Sequence, residues 1–225
     1  MTKIRICFSK SGALRYIGHL DFLKVFQQTI RRAGLPVAYS QGFNPHMQMS
    51  FALPLPLGMT SHKDYADLTL LSDIPENIAS KLNSHAPEGL NIQTIWETQG
   101  PGAAAIVTAA DYCLPIANPE IDSILSQQSI IVPKKTKSGI KDTDIRPDIL
   151  NIWELEGATV EDSGEKKPLV IMRLSAGSAR FINPLLVAGL LLKHDAESTA
   201  ITRVDLYRQS DEKGLVSLYE APPHR

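Results

Sequence analysis

A chain of 225 residues with 43% hydrophobic and 21% charged residues has the make-up of one or two folded units and excludes disorder over most of its length. Its formal net charge of -1 argues at first against a polyanionic partner. The sum hides an asymmetry: residues 1–50 carry seven bases and one acid, residues 51–133 two bases and nine acids, and the rest fourteen of each, so an anionic ligand is excluded from most of the surface but not from one face.

Residues 3–8 alternate Lys, Ile, Arg, Ile, Cys, Phe, the pattern of a half-buried strand, and stop at a Ser-Lys-Ser-Gly turn. The period then becomes helical over 19–33: Phe22, Phe26 and Ile30 fall on one side and Asp21, Lys24, Gln28, Arg31 and Arg32 on the other, with Gly34 as the stop. A loop rich in special residues at 35–46 leads to a predicted strand at 47–53 and another at 65–71. A helix from Pro75 to about Ser84 and a strand over 90–97 complete the order strand, helix, strand, strand, helix, strand.

After a boundary or short helix at 100–105, nearly the same order is expected again. It runs as strand 109–116, helix 119–127, strand 129–133, strands 149–156 and 168–174, helix 183–193 and strand 200–208, with a polar turn at 157–167. A lysine-bearing hairpin or loop at 134–148 (Lys134, Lys135, Lys137, Lys141) interrupts it, and the 222–225 tail is expected to fray. The chain therefore reads as α+β, with two ferredoxin-like (βαββαβ) halves, 1–100 and 101–225, each an antiparallel sheet with helices on one face. Cys7 and Cys113 form neither a disulfide framework nor a metal knuckle, no leader-like apolar run opens the chain, and the greasiest run, 185–192, is too short for a bilayer. A cytoplasmic protein without membrane contact is expected.

Three segments carry a resemblance: FSKSGALRYIGHLD at 8–21, RRAGLPVAYSQGFNPH at 31–46 and SFALPLPLG at 50–58. Together they resemble the radical SAM-linked family of uncharacterised bacterial proteins, whose members stand alone or form the C-terminal part of a radical S-adenosylmethionine protein with a cobalamin-type domain. The chain departs from that pattern at Met47, where a proline is usual, and at Gly18, where a serine is usual. The resemblance implies a radical SAM protein as partner. This chain cannot itself hold the iron–sulfur cluster of such an enzyme, which needs three closely spaced cysteines; no cofactor is expected.

Several residues are candidates for chemistry. His19 and His46 are a possible acid/base pair at neutral pH; the bland alternatives are that His19 opens a helix and His46 orders a Pro turn. His19, Asp21, His46 and His62 are suitable zinc ligands by type but lack a recognised spacing, so no metal is assigned. Lys10, Arg15, Lys24 and Arg31 offer a basic face for phosphates, and Tyr39, Gln41, Phe43 and Asn44 lie on the loop that would meet unpaired bases. No P-loop or dinucleotide fingerprint is present. The expectation is a non-catalytic module that holds RNA or another substrate for a radical SAM enzyme, with no activity of its own. Two alternatives stand beside it: a metal-independent RNA-processing enzyme using the histidines, and a protein-interaction adaptor docking through the acidic middle.

Overall fold

The computed structural model describes residues 1–136, 139–162, 165–193, 196 and 200–219. The strands expected as two sheets join into one mixed, mostly antiparallel sheet of nine strands, with few helices. The first strand, β1 (Thr2–Lys10), runs two residues past the predicted stop. It is buried on both faces rather than one: Ile4, Ile6 and Phe8 join one apolar core, while Arg5 and Cys7 are covered on the other side.

Helix α1 (His19–Arg32) matches the period seen in the sequence. Phe22, Phe26 and Ile30 are buried, Asp21 stands in the first turn and Arg31 and Arg32 in the last, each sign at its favourable end of the helix dipole. Gly34, just beyond the Ala33 cap, takes the left-handed conformation that glycine adopts without penalty, at φ 61°.

Strand β2 (Met49–Phe51) is shorter than expected because Pro54 and Pro56 have no N–H to donate and Met47 pairs instead with Tyr39 in an isolated bridge. Strand β3 (Thr60–Leu70) begins five residues early: Ser61 and Asp64, polar and seemingly out of pattern, are buried against the end of β1. Helix α2 (Ile78–Asn83) and β4 (Leu90–Glu97) follow as predicted, α2 with fewer residues at both ends.

A single turn of helix, α3 (Ala103–Ile106), leads to β5 (Val107–Pro115) and a short α4 (Ile121–Leu125). The lysine-bearing segment is a separate two-stranded hairpin, β6 (Ile131–Thr136) and β7 (Gly139–Asp144); Lys137 lies outside the described residues. Its base is fixed by Asp144, which accepts from the backbone of Ile130 and Arg146, while the Arg146 side chain donates to the carbonyls of Leu125, Gln127 and Ile149.

Strands β8 (Ile149–Asp162) and β9 (Glu165–Ser175) pair on through 159–162 and 165–168, so the expected polar turn at 157–167 is largely a ladder. Helix α5 (Pro184–Leu192), capped by the Asn183 side chain, and β10 (Thr202–Ser210) end the predicted list; β11 (Gly214–Ser217), which pairs with β10, was not foreseen. The tail at 222–225 lies outside the described residues. The order across the sheet is β4-β1-β3-β10-β5-β9-β8, with β2 on β3 and β11 on β10. In the middle of this order, strands from the first and second parts of the chain meet at the parallel pair β3–β10, which spans only Thr60↔Thr202 and Ser61↔Arg203. Among the described residues no helix is long and apolar enough to cross a membrane.

Candidate functional site

The basic N-terminal segment and the acidic middle meet across β1 and β3. Arg5 is buried and binds Asp67 through Nε at 2.7 Å and Nη2 at 3.2 Å. Lys3 lies 3.8 Å from the same carboxylate, which also accepts from the backbone N–H of Ala103 at 2.7 Å. A good part of the positive charge counted in residues 1–50 is thus neutralised inside the protein by acids from residues 51–133, and does not form one exposed basic face.

A second ionic group joins the β3–β10 seam. Arg203 is fully buried; its Nη2 donates to Asp64 and to the Leu53 carbonyl at 2.9 Å, and its Nη1 to the Pro54 carbonyl at 3.3 Å. Lys10, 2% exposed, donates to the Ile17 carbonyl and sits 4.8 Å over the Phe22 ring. Burial holds the Lys10 ammonium below its usual range; Asp64 opposes that and Arg203 adds to it. Burial also raises the Asp64 carboxyl, against the pull of Arg203. The buried Asp64 carboxylate is therefore bonded to Arg203 and also lies within electrostatic reach of Lys10.

Two of the three sequence motifs converge on this group, the first through Lys10 and the third through the Leu53 and Pro54 carbonyls. Arg15 Nε donates to the Gly58 carbonyl at 2.7 Å while the Gly58 N–H donates to the Arg15 carbonyl at 2.8 Å, which ties the first motif to the end of the third. Phe51 of the third motif stacks on Phe22 at 5.4 Å, and His19 meets the same Phe51 ring edge-on at 5.6 Å. Lys10 and Arg15 accordingly hold loops in place, with Lys10 turned inward.

The remaining predicted residues are at the surface. Turn 40–46 is closed by reciprocal bonds, Ser40 N–H to the His46 carbonyl at 2.8 Å and His46 N–H to Ser40 Oγ at 2.9 Å. Gly42, at φ 126°, sits where a side chain is strained. Gln41, Phe43 and Asn44 are exposed on this turn, Phe43 completely (107%), and Tyr39 stands at its base, 38% exposed. Lys24 is exposed and pairs with Asp21 at 2.9 Å, and Arg31 is exposed at the end of α1. His19 is half-buried and His46 exposed; among the described residues no hydrogen bond or ring contact joins them. Nor, among those residues, do three or more His, Cys, Asp or Glu side chains gather as metal ligands.

Residues 3–184 match the family described as "Uncharacterized protein conserved in bacteria (DUF2344)". The chain belongs to this family. A comparison with curated proteins finds no match. The DUF2344 region contains all three motifs together with Asp64 and Asp67, whereas Arg203, the partner of Asp64, lies beyond it. Asp64, Asp67, Phe51 and Arg203 escaped the sequence reading. Asp67 interrupts the largely apolar run at 65–71, a signal of buried pairing; Asp64 follows Ser61, His62 and Lys63 and gives no such signal, and Arg203 reads as solvent-facing in its strand.

Proposed function

We propose that this DUF2344 protein is a binding module without catalysis of its own, which holds RNA or an RNA-like substrate and presents it to a radical SAM enzyme in the cytoplasm. The observation that carries the binding reading is the 40–46 turn, which keeps the Phe43 ring fully in solvent on a backbone fixed at both ends. A large apolar side chain held away from the surface gains by stacking on a planar group, and unpaired bases supply one. Tyr39, Gln41 and Asn44 lie on the same turn or at its base, Lys24 and Arg31 supply positive charge from α1, and Lys10 and Arg15 act by positioning the loops. The radical SAM partner is supported by the three-motif resemblance alone.

We read each half, 1–100 and 101–225, as ferredoxin-like. The strand orders β4-β1-β3-β2 and, with the separate β6–β7 hairpin set aside, β10-β5-β9-β8, each fourth-first-third-second within its half, support this. A histidine acid/base mechanism has less support, since His19 is engaged with Phe51 and not with His46.

Electrophoretic shift of structured cellular RNA at low salt tests the reading. The wild-type chain is expected to shift it, Phe43→Ala to weaken binding about fivefold or more, and Lys24→Glu with Arg31→Glu to weaken it further as salt rises. Absence of a shift at low salt, or a shift unchanged in both variants, overturns it.

A further inference from the structure

The two ends of the sheet are finished differently. At β4 the edge is closed: α2 packs beside it, and the Asn83 side chain accepts from the Ile92 N–H at 2.7 Å and donates to the Ile92 carbonyl at 2.8 Å. At β8, the other end of the strand order, closure stops part-way. Arg146 donates to the Ile149 carbonyl at 3.0 Å, and Asn151 Oδ1 accepts from the Ile152 N–H at 2.9 Å.

Pairing with β9 fixes where the next groups point. Ile152, Trp153 and Glu154 stand opposite Met172, Ile171 and Val170. Successive residues of an antiparallel strand bond alternately to its two sides, so with Ile152 turned outward Glu154 is turned outward as well. Among the described residues nothing bonds the Ile152 carbonyl or the N–H and carbonyl of Glu154. Beyond them the register jumps from Glu154↔Val170 to Thr159↔Pro168, in a bulge that holds Gly157 at φ 70°. The open stretch of edge is short and bounded on both sides.

Carboxylates flank it. Ile152 belongs to the core beneath α4 and α5, so the Glu154 side chain, two residues on, stands on the same face. Two clefts of about 490 and 410 Å³ meet at Glu154 and Pro119; Lys166 also lines the first, Glu120 and Asp122 the second. Glu120 is paired with Lys193, and Lys166 stands opposite Glu161 in the β8–β9 ladder. Glu154 and Asp122 are exposed and, among the described residues, paired with no cation.

An occupant of this edge has to supply extended backbone and positive charge together. A second copy brings the same acids to the same edge, where like charges meet across the two-fold axis. A polyanion is repelled by them. We propose that the β8 edge at Ile152–Glu154 takes up an extended segment of a partner protein as an added strand, with Lys or Arg at alternate positions facing Glu154 and Asp122. Backbone bonds hold the segment, and the two carboxylates select its charge. This edge and the 40–46 turn lie on opposite sides of the β3–β10 seam, and the proposal does not depend on RNA binding.

A short, blocked, fluorescent peptide of alternating lysine and valine is the probe. Its anisotropy is expected to rise on titration with the full chain at ~0.15 M salt and to rise less as salt increases. Deuterium exchange is expected to slow in β8 and not in β4. Glu154→Lys is expected to weaken binding about tenfold and Glu154→Gln about threefold. Glu154→Pro removes an outward N–H without breaking the ladder and is expected to abolish the slowed exchange, with an unchanged melting temperature confirming the fold. A peptide with prolines in place of two valines keeps the charge, loses the backbone donors and is expected not to bind.

No rise in anisotropy with the wild-type chain overturns the proposal. Equal binding of the proline-bearing peptide, or binding without slowed exchange in β8, marks attraction by charge alone and overturns it, as does indifference to both Glu154→Lys and Glu154→Gln. Exchange in β8 that slows with protein concentration in the absence of peptide marks a second copy as the occupant and overturns it too. A chain that shifts RNA yet leaves the peptide free overturns this proposal alone, and one that binds the peptide but not RNA overturns only the earlier reading.

Discussion

Replacing Asp64 by asparagine preserves the shape of the side chain and removes the negative charge that Arg203 pairs with at the β3–β10 seam. Arg203, with no exposed surface, then keeps only the carbonyls of Leu53 and Pro54, and Lys10 only that of Ile17. Removing one member of a buried ion pair costs about 3–5 kcal/mol, and the upper half of that range applies because Lys10 also loses a nearby opposite charge. At about 2–4 °C per kcal/mol for a chain of this size, the melting temperature should fall by roughly 10–20 °C. Lys10→Met keeps an apolar stem over Phe22 and leaves the Asp64–Arg203 pair intact, so it should stay within about 1 kcal/mol of wild type. Placed on Asp64→Asn, it removes one of the two stranded cations and should recover about 1–2 kcal/mol, a non-additivity that a double-mutant cycle reads directly. Urea unfolding followed by circular dichroism at neutral pH supplies the four free energies. A loss below about 1 kcal/mol in Asp64→Asn, or strict additivity with Lys10→Met, would refute the role given to the Asp64 carboxylate.

Three further outcomes are expected. Gly89→Ala places a Cβ 2.4 Å from the Ser11 carbonyl at φ 89° and should cost more than about 2 kcal/mol, whereas Gly34→Ala, at φ 61° with open space around it, should cost about 1 kcal/mol; equal losses in urea melts would contradict the assigned close approach. Burial, reinforced by Asp205, pushes the Cys7 thiol up to about 12, so iodoacetamide at mildly alkaline pH should label the half-exposed Cys113 first and Cys7 only after denaturation; intact-mass analysis showing Cys7 labelled as fast would count against its burial. The backbone donors of Ile130 and Arg146 hold the Asp144 carboxyl below its usual range. Its contribution is therefore complete above the unfolded value of about 3.9 and is lost as the pH falls through the lower folded value. Asp144→Asn should flatten the acid limb of a plot of melting temperature against pH, and an unchanged slope would remove Asp144 from that role.

What was legible in the sequence was periodicity, and what was not was pairing over distance. Helix α1 and strand β4 stand where their patterns put them, because each buries an apolar stripe that local spacing reveals. Strand β3 starts earlier than its pattern because Asp64 is buried by an arginine 139 residues away, a compensation no local window contains. Strand β7 has Ile140 as its one aliphatic residue and exists through its ladder with β6. The same limit applied to the site. The Gly-Phe-Asn-Pro run correctly marked an exposed turn, whereas the Ser-Lys-Ser-Gly turn looked solvated and hid a lysine that folds back over Phe22. Segment charge misled in a similar way, since Arg5 and Asp67 fall in segments of opposite sign and cancel in space.

The short seam between β3 and β10 also sets an order of events. Thr60 and Thr202, whose hydroxyls meet at 2.8 Å, are separated by 142 positions in the chain. At about 5–20 residues per second on the ribosome, roughly 7–30 s pass between the synthesis of the two. Throughout that interval the start of β3 is an unpaired strand edge, with Asp64 lacking its guanidinium, and the nascent N-terminal half presents a surface that the finished protein does not have. Anything that binds such edges has its opportunity then, and the arrival of β10 ends it.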